Sequence, residues 1–251
     1  GTITCHMTLQ YLLTNDFQVE NDGLLIMIVT IHQPNYFPYF GLFHKINQAD
    51  VFVVQDDVKF DERVTNRNKI ISSTGYTRLN VPIVKGHKFF EIKDVKINNL
   101  ILWRKIHWKK ITSGYNNAEY FHLYKDYFEK LYEKEWEFLF ELNFETLKKC
   151  IEWLGIKTEI VIESELNVNG TSTERLVNVC KAVGADTYLS GIVGKDYLNE
   201  ALFEKNNINL KYKNYKSITY TQNLSKTFIP NLSIIDVLAN NGPKTHEFLK
   251  S

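Results

Sequence analysis

Cysteine is scarce. Cys5, Cys150 and Cys180 stand far apart, with no CxxC and no His at ligand spacing. This argues against a zinc site of the usual spacing, and the odd count points to a reducing compartment. Cys150 and Cys180 fall in helix-like patterns that suit core positions. Long apolar runs are also missing. The longest, Leu24 to Val29, has strand length, against the ~20 residues of a membrane span. No basic–apolar–small pattern of a signal peptide opens the chain. Gly1 to His6 reads as an expression-tag remnant before Met7, residues 7–26 as an N-terminal extension, and Met27 as the natural start. Charge of one sign is lacking too: 30 Lys+Arg face 29 Asp+Glu, a net +1. That argues against a nucleic-acid binder relying on a global basic field, while a local patch stays open. Proline and glycine are sparse, at 5 and 12 in 251 residues.

Aromatic residues, by contrast, are abundant: 16 Phe, 14 Tyr and 4 Trp, 14% of the chain. Such surfaces are either core or a site for a flat or sugar-like ligand. All four Trp fall within 103–153, a stretch of helical periodicity that ends at Gly155. Around it, strands alternate with helices. Strands are expected at Ile26–Ile31, Val51–Val54, Thr77–Ile83, Ile92–Ile97, Ile156–Ile162, Thr187–Gly191 and Leu210–Tyr215. Helices are expected at Leu42–Gln48, after a Thr171–Glu174 capping box, at Tyr197–Asn206 and at Leu232–Asn240. The class is α/β with a largely parallel sheet. Residues 27–251 read as a single domain with a helical insertion at about 100–155.

Four segments carry most of the chemistry. His32, Gln33, Asn35 and Tyr36 follow the first buried strand in a loop braced by Pro34 and Pro38. Ligands of doubly wound sheets bind at strand carboxyl ends, so a functional loop competes here with a sharp, aromatic-packed turn. Asp56 and Asp57 follow the second buried strand. Neighbouring carboxylates can hold a metal, a ribose or an amine, but alternation lets only one face a site. A helix cap or a solvated turn is the alternative. Arg63, Asn66, Arg67, Asn68 and Lys69 can grip phosphate or carboxylate, or form a solvated charge run. Ser190, Gly191 and Lys195 mark a strand–turn–helix junction that lacks both Walker and dinucleotide spacing. His107 reads as a surface or packing residue, and Ser233 as an N-cap that Asp236, three residues on, completes in a box-like arrangement.

These pieces resemble the WbqC-like proteins. The resemblance rests on Ile31-His32-Gln33-Pro34-Asn35-Tyr36 with Pro38 and Gly41, on Ala49-Asp50-Val51-Phe52, and on Asp56-Asp57-Val58. It continues through Asn66-Arg67-Asn68-Lys69-Ile70, Val81-Pro82, Tyr188-Leu189-Ser190-Gly191 and Leu232-Ser233-Ile234-Ile235-Asp236. It covers about residues 27–245. The resemblance implies a bacterial cytoplasmic protein of O-antigen, capsule or related glycan assembly, with transfer of an acyl or aminoacyl group to a nucleotide-linked amino sugar. A second likeness, to nucleotidyltransferases and adenylate-forming ligases such as pantothenate synthetase, implies a Rossmann-like, HUP-type fold. The second His of their His-x-Gly-His loop is absent here.

Three functions follow. In the first, a transferase, His32 or Asp57 is the general base, Arg63, Arg67 and Lys69 hold the pyrophosphate, and Tyr36, Phe37 or Tyr39 stacks on a ring. The second is a nucleotidyltransferase or ATP-dependent ligase with Mg²⁺ on Asp56 or Asp57. The third is a non-catalytic binding protein of the same pathway. The expected partner is a small molecule, with no nucleic acid and no membrane span. The sequence specifies neither a cofactor nor an oligomeric state.

Overall fold

The computed structural model describes residues 26–250. The tag remnant and extension expected over 1–26 lie outside them, apart from Ile26. Five parallel strands form the central sheet in the order β5-β2-β1-β6-β7. They are β1 (Ile28–His32), β2 (Val51–Val54), β5 (Glu159–Ile162), β6 (Thr187–Gly191) and β7 (Asn209–Lys213). β2 reads Val-Phe-Val-Val and is buried along its whole length, as a strand covered on both faces must be. Its alternation divides two cores. Val51 and Val53 join Val29, Ile31, Val177 and Phe203 on one face, while Phe52 and Val54 join the larger aromatic core on the other.

The helices are α1 (Phe40–Ile46), α2 (Trp103–Tyr115), α3 (Lys125–Glu133), α4 (Leu139–Trp153), α5 (Ser172–Ala182), α6 (Glu200–Lys205) and α7 (Ile234–Asn241). Residues 103–153, which contain α2, α3 and α4, supply most of the aromatic residues in and against the larger core, which accounts for the Trp-rich stretch.

The main departure from expectation is a separate antiparallel ribbon, β3 (Arg67–Ser72) and β4 (Gly75–Asn80). Its first strand is the segment that reads as a polar charge run. A lone ribbon is marginal in water, and neighbours hold this one in place. Tyr115 Oη accepts the Ile71 N–H at 3.1 Å, His107 Nε2 accepts the Asn80 N–H at 3.0 Å, and the Ser233 N–H donates to the Lys69 carbonyl at 2.8 Å. The strand expected at Ile92–Ile97 is a short 3-10 turn with single bridges at Lys96 and Ile97, because no neighbouring strand continues its ladder. The Thr171 capping box does not form. Ser172 sits at φ 50° and the Thr171 side chain caps nothing. Ser233 does cap α7, its hydroxyl accepting the Ile235 N–H. Asp236 does not complete a box there. Its carboxylate accepts from Tyr115, Tyr220 and Gln222 instead.

Candidate functional site

The sheet order reverses direction between β1 and β6, and loops leaving the two strands part there. This is where an open α/β sheet leaves a crevice beyond its carboxyl edge. A cleft of about 700 Å³ fills the position. Its walls come from the loop after β1, from α1, from the ribbon, from the turn after β6 and from Lys213 at the end of β7.

The loop after β1 is clamped by distant elements. Asn143 Nδ2 donates to the Pro34 carbonyl at 2.7 Å, and Asn68 Nδ2 and Ser233 Oγ both donate to the Phe37 carbonyl. These ties hold Phe37 in the left-handed region at φ 41°, which a bulky side chain adopts only under constraint. Two glycines make room for the cleft walls. A Cβ on Gly41 would lie 2.6 Å from the Tyr215 ring, and one on Gly194 would lie 2.3 Å from Ser190 Oγ. Gly191 faces open space at an ordinary φ, so nothing in the backbone demands glycine there.

The cleft gathers His32, Asn35, Arg63, Arg67, Asn68, Lys69, Ser190 and Gly191 from the expected residues. His32 is half-buried and keeps part of its ring on the cleft. Its Nδ1 lies 2.8 Å from the Gln33 carbonyl, which assigns the proton to Nδ1 and leaves Nε2 as an acceptor. Burial, and then the Lys45 charge, push its pKa down to about 4, so the imidazole is neutral near pH 7. The ribbon register places Arg67, Lys69, Arg78 and Tyr76 on one face, because Lys69 pairs with Arg78. Among the described residues the lining includes six cations, Lys45, Arg63, Arg67, Lys69, Arg78 and Lys213, and no carboxylate. Of these, only Arg63 is in ion-pair contact with a carboxylate among the described residues, Asp61 at 2.7 Å, and Arg67 adds to the positive field on that same carboxylate. Tyr39, Tyr76, Tyr188, Tyr197 and Tyr215 supply rings.

Other expected residues lie elsewhere. Tyr36, expected to stack on a ligand, is wholly buried in the aromatic core, as is Phe37. The His107 Nδ1–H donates to the Tyr36 hydroxyl, which also pairs with Tyr132. Burial keeps His107 neutral, with a pKa near 3. Gln33 and Asn66 are structural clamps, accepting from Thr65 Oγ1 at 3.0 Å and donating to the Val81 carbonyl at 2.8 Å. Lys195 lies over the Tyr212 ring, off the cleft.

The aspartate pair is also committed elsewhere. Asp56 is buried and accepts from both the backbone N–H and the hydroxyl of Ser164, at 3.0 and 2.7 Å. Asp57 is ion-paired to Lys93 and Arg175, and these cations hold its carboxyl down at about 2. Neither lines the cleft, so neither is placed as its general base or its Mg²⁺ ligand. No group of three or more His, Cys, Asp or Glu among the described residues is arranged to hold a metal.

Lys45, Arg78, Lys213, Tyr76 and Tyr215 join the site without having been expected from the sequence. Lys45 carries the one usable signal, a charge within the apolar segment Phe40–Ile46, all of which is buried. Arg78 becomes visible only once it is paired with Lys69.

No helix of the described residues is long and apolar enough to cross a membrane. The chain matches the WbqC-like protein family over residues 33–248. It is 31% identical over 225 residues to "Uncharacterized protein Rv1507c" of Mycobacterium tuberculosis (strain ATCC 25618 / H37Rv), covering 88% of this chain and 97% of that protein. No solved structure matches it.

Proposed function

The chain belongs to the WbqC-like protein family, and from that premise we propose that it is a cytoplasmic transferase of bacterial surface-glycan assembly. Its cleft takes a nucleotide-linked amino sugar and adds an acyl or aminoacyl group to it. One observation carries this reading. A cleft whose described lining has six cations, no carboxylate, several tyrosine rings and a neutral imidazole suits a small molecule that combines phosphate with flat or sugar rings.

In this reading Arg67, Lys69 and Arg78 hold the pyrophosphate, and a rim tyrosine stacks on a ring. The substrate amine attacks the donor's carbonyl carbon, and the bond from that carbon to the leaving group breaks. The nitrogen's proton passes to His32 Nε2 and from there to the leaving group. An anion beside Lys45 offsets the repulsion that weakens His32 as a base, so basicity rises when the cleft is filled. The reading takes residues 27–251 as one domain with α2–α4 inserted, since one aromatic core joins residues from Tyr36 to Leu249.

The strand order favours a second reading. Counting only sheet strands, the order is the third, second, first, fourth and fifth, which supports a Rossmann-like, nucleotidyltransferase-type fold. A nucleotidyltransferase predicts ATP or CTP binding with release of pyrophosphate. Against it stands the commitment of Asp56 and Asp57 to protein groups.

A thermal-shift screen with nucleotide sugars, ATP and CTP tests both. Stabilisation by diphosphate-linked amino sugars is expected. No shift with any diphosphate ligand would overturn the proposal. Full glycan production by a folded His32→Ala variant would point instead to a non-catalytic binding protein.

A further inference from the structure

Among the described residues, Lys45 differs from the buried carboxylates in having neither an ion pair nor a hydrogen bond shorter than 3.5 Å. Asp56 accepts twice from Ser164, Glu163 is paired with Arg175, and Asp236 accepts from Tyr115, Tyr220 and Gln222. Lys45 is 7% exposed, has no carboxylate partner among the described residues, and makes one contact at the limit of hydrogen bonding, to the Ile31 carbonyl at 3.5 Å. Its place in the last turn of α1 suits a cation but supplies no counter-ion. A buried ammonium without a counter-ion is costly, and proteins seldom keep one without use. This one lines the cleft, as does Asn35, whose Oδ1 is buried with no hydrogen-bond partner. A buried cation, a buried orphan acceptor and the open Nε2 face of His32 thus share one cleft, on residues of β1, its loop and α1 rather than on the ribbon.

We propose that Lys45, Asn35 and His32 form an oxyanion subsite separate from the ribbon cations, so that the cleft's ligands include a compact group carrying both an oxyanion and an N–H or O–H donor. Lys45 binds the oxyanion and Asn35 Oδ1 accepts from the donor. An amino-acid carboxylate with its ammonium has this chemistry, and so does a monohydrogen phosphate. The inference rests on the reading of the cleft as a ligand site, and it adds a second anion-binding position beside the proton acceptor. Burial lowers the Lys45 pKa to about 8, so a fraction of the amine is free to react when the subsite is empty.

Cyanate, small enough to enter the cleft, carbamoylates free amines. The test follows modification of Lys45 in the full chain by peptide mass spectrometry, with glycine, inorganic phosphate or UDP present, beside UDP thermal shifts. Glycine or phosphate should slow Lys45 labelling by about fivefold or more while surface lysines label unchanged. Protection by glycine alone assigns the group as an amino acid, and protection by phosphate assigns it as a phosphate. If neither protects, the subsite is wrong, and UDP binding that persists leaves the nucleotide reading standing. Protection without any UDP binding keeps the subsite and removes that reading.

Lys45→Met supplies a second readout. Removing a cation with no ion pair among the described residues should raise Tm by a few degrees while abolishing stabilisation by the protecting ligand. A lowered Tm, or unchanged ligand stabilisation, overturns the proposal. Should the variant not fold, the labelling of the native protein decides.

Discussion

Two charged clusters sit at the same carboxyl edge of the same sheet, one beyond β2 and β5 and one beyond β1 and β6. They differ in balance. Beyond β2 and β5, Asp57 meets Lys93 and Arg175, Arg175 meets Glu163, and Lys93 meets Glu91 at 3.2 Å. Each charge there is paired with an opposite one, while the second carboxylate oxygen of Glu163 has no hydrogen-bond partner among the described residues. Burial pushes the Glu163 carboxyl up while Arg175 draws it back down, as in a pair that protein groups alone hold together. Beyond β1 and β6, five of the six lining cations are in ion-pair contact with no carboxylate among the described residues. Charge density does not separate a site from a strut. Compensation does, because a self-paired network has little left to offer a ligand.

The largest expected difference is catalytic. His32→Ala should lower turnover on a nucleotide-linked amino sugar by about 10²–10⁴-fold, the range for losing a general base. Asp57→Ala should change it by no more than about twofold, since Asp57 lies off the cleft. Steady-state kinetics of the two variants side by side would break the comparison if Asp57→Ala proved the more damaging.

Next comes stability. Arg175→Met leaves Glu163 buried and unpaired, at a cost of about 3 kcal/mol by urea denaturation. Ligand affinity should stay as it was. A weakened affinity would mean that the two clusters act as one site.

The ribbon should show the reverse pattern. Arg67→Ala with Lys69→Ala should weaken binding of a diphosphate ligand by at least about 100-fold, at about 1.5–3 kcal/mol for each charged hydrogen bond lost. Calorimetric titration reads the affinity, and an unchanged Tm separates this from unfolding.

The smallest effect is on pH dependence. His32 is held at about 4 when folded, against 6.5 for the free side chain. The unfolded chain therefore takes up the proton first. The stability this group contributes is complete above pH 6.5 and is lost as pH falls towards 4. His107, near 3, adds to the same acid loss. His32→Gln should shrink the fall in stability between pH 7 and 5 by about 1 kcal/mol, a figure reduced for the accessible face of the ring. An unchanged fall would mean that His32 is not neutral in the folded protein.

Much of this contrast was illegible in the sequence, where Asp56-Asp57 and Arg63–Lys69 read as sites of similar standing. Both are polar runs after or near a buried strand. What separates them is Ser164, Lys93 and Arg175, residues brought in from other parts of the chain. The aromatic excess divided in the same way. Tyr36 and Phe37 look like a ligand platform in a loop, but they close the core, and rings from five separate segments line the cleft.

The sequence by itself determined what depends on local pattern. Apolar runs fixed β1, β2 and β6, helical spacing fixed the 103–153 region, and their alternation fixed an α/β architecture with a mostly parallel sheet. His32 at the end of a buried strand was legible for the same reason. Only the tertiary structure decided that 67–80 folds as a ribbon, that Arg78 stands beside Lys69, and that Lys45 is a buried cation with no ion pair among the described residues. Periodicity is a property of neighbours in the chain, whereas burial and charge compensation are properties of neighbours in space.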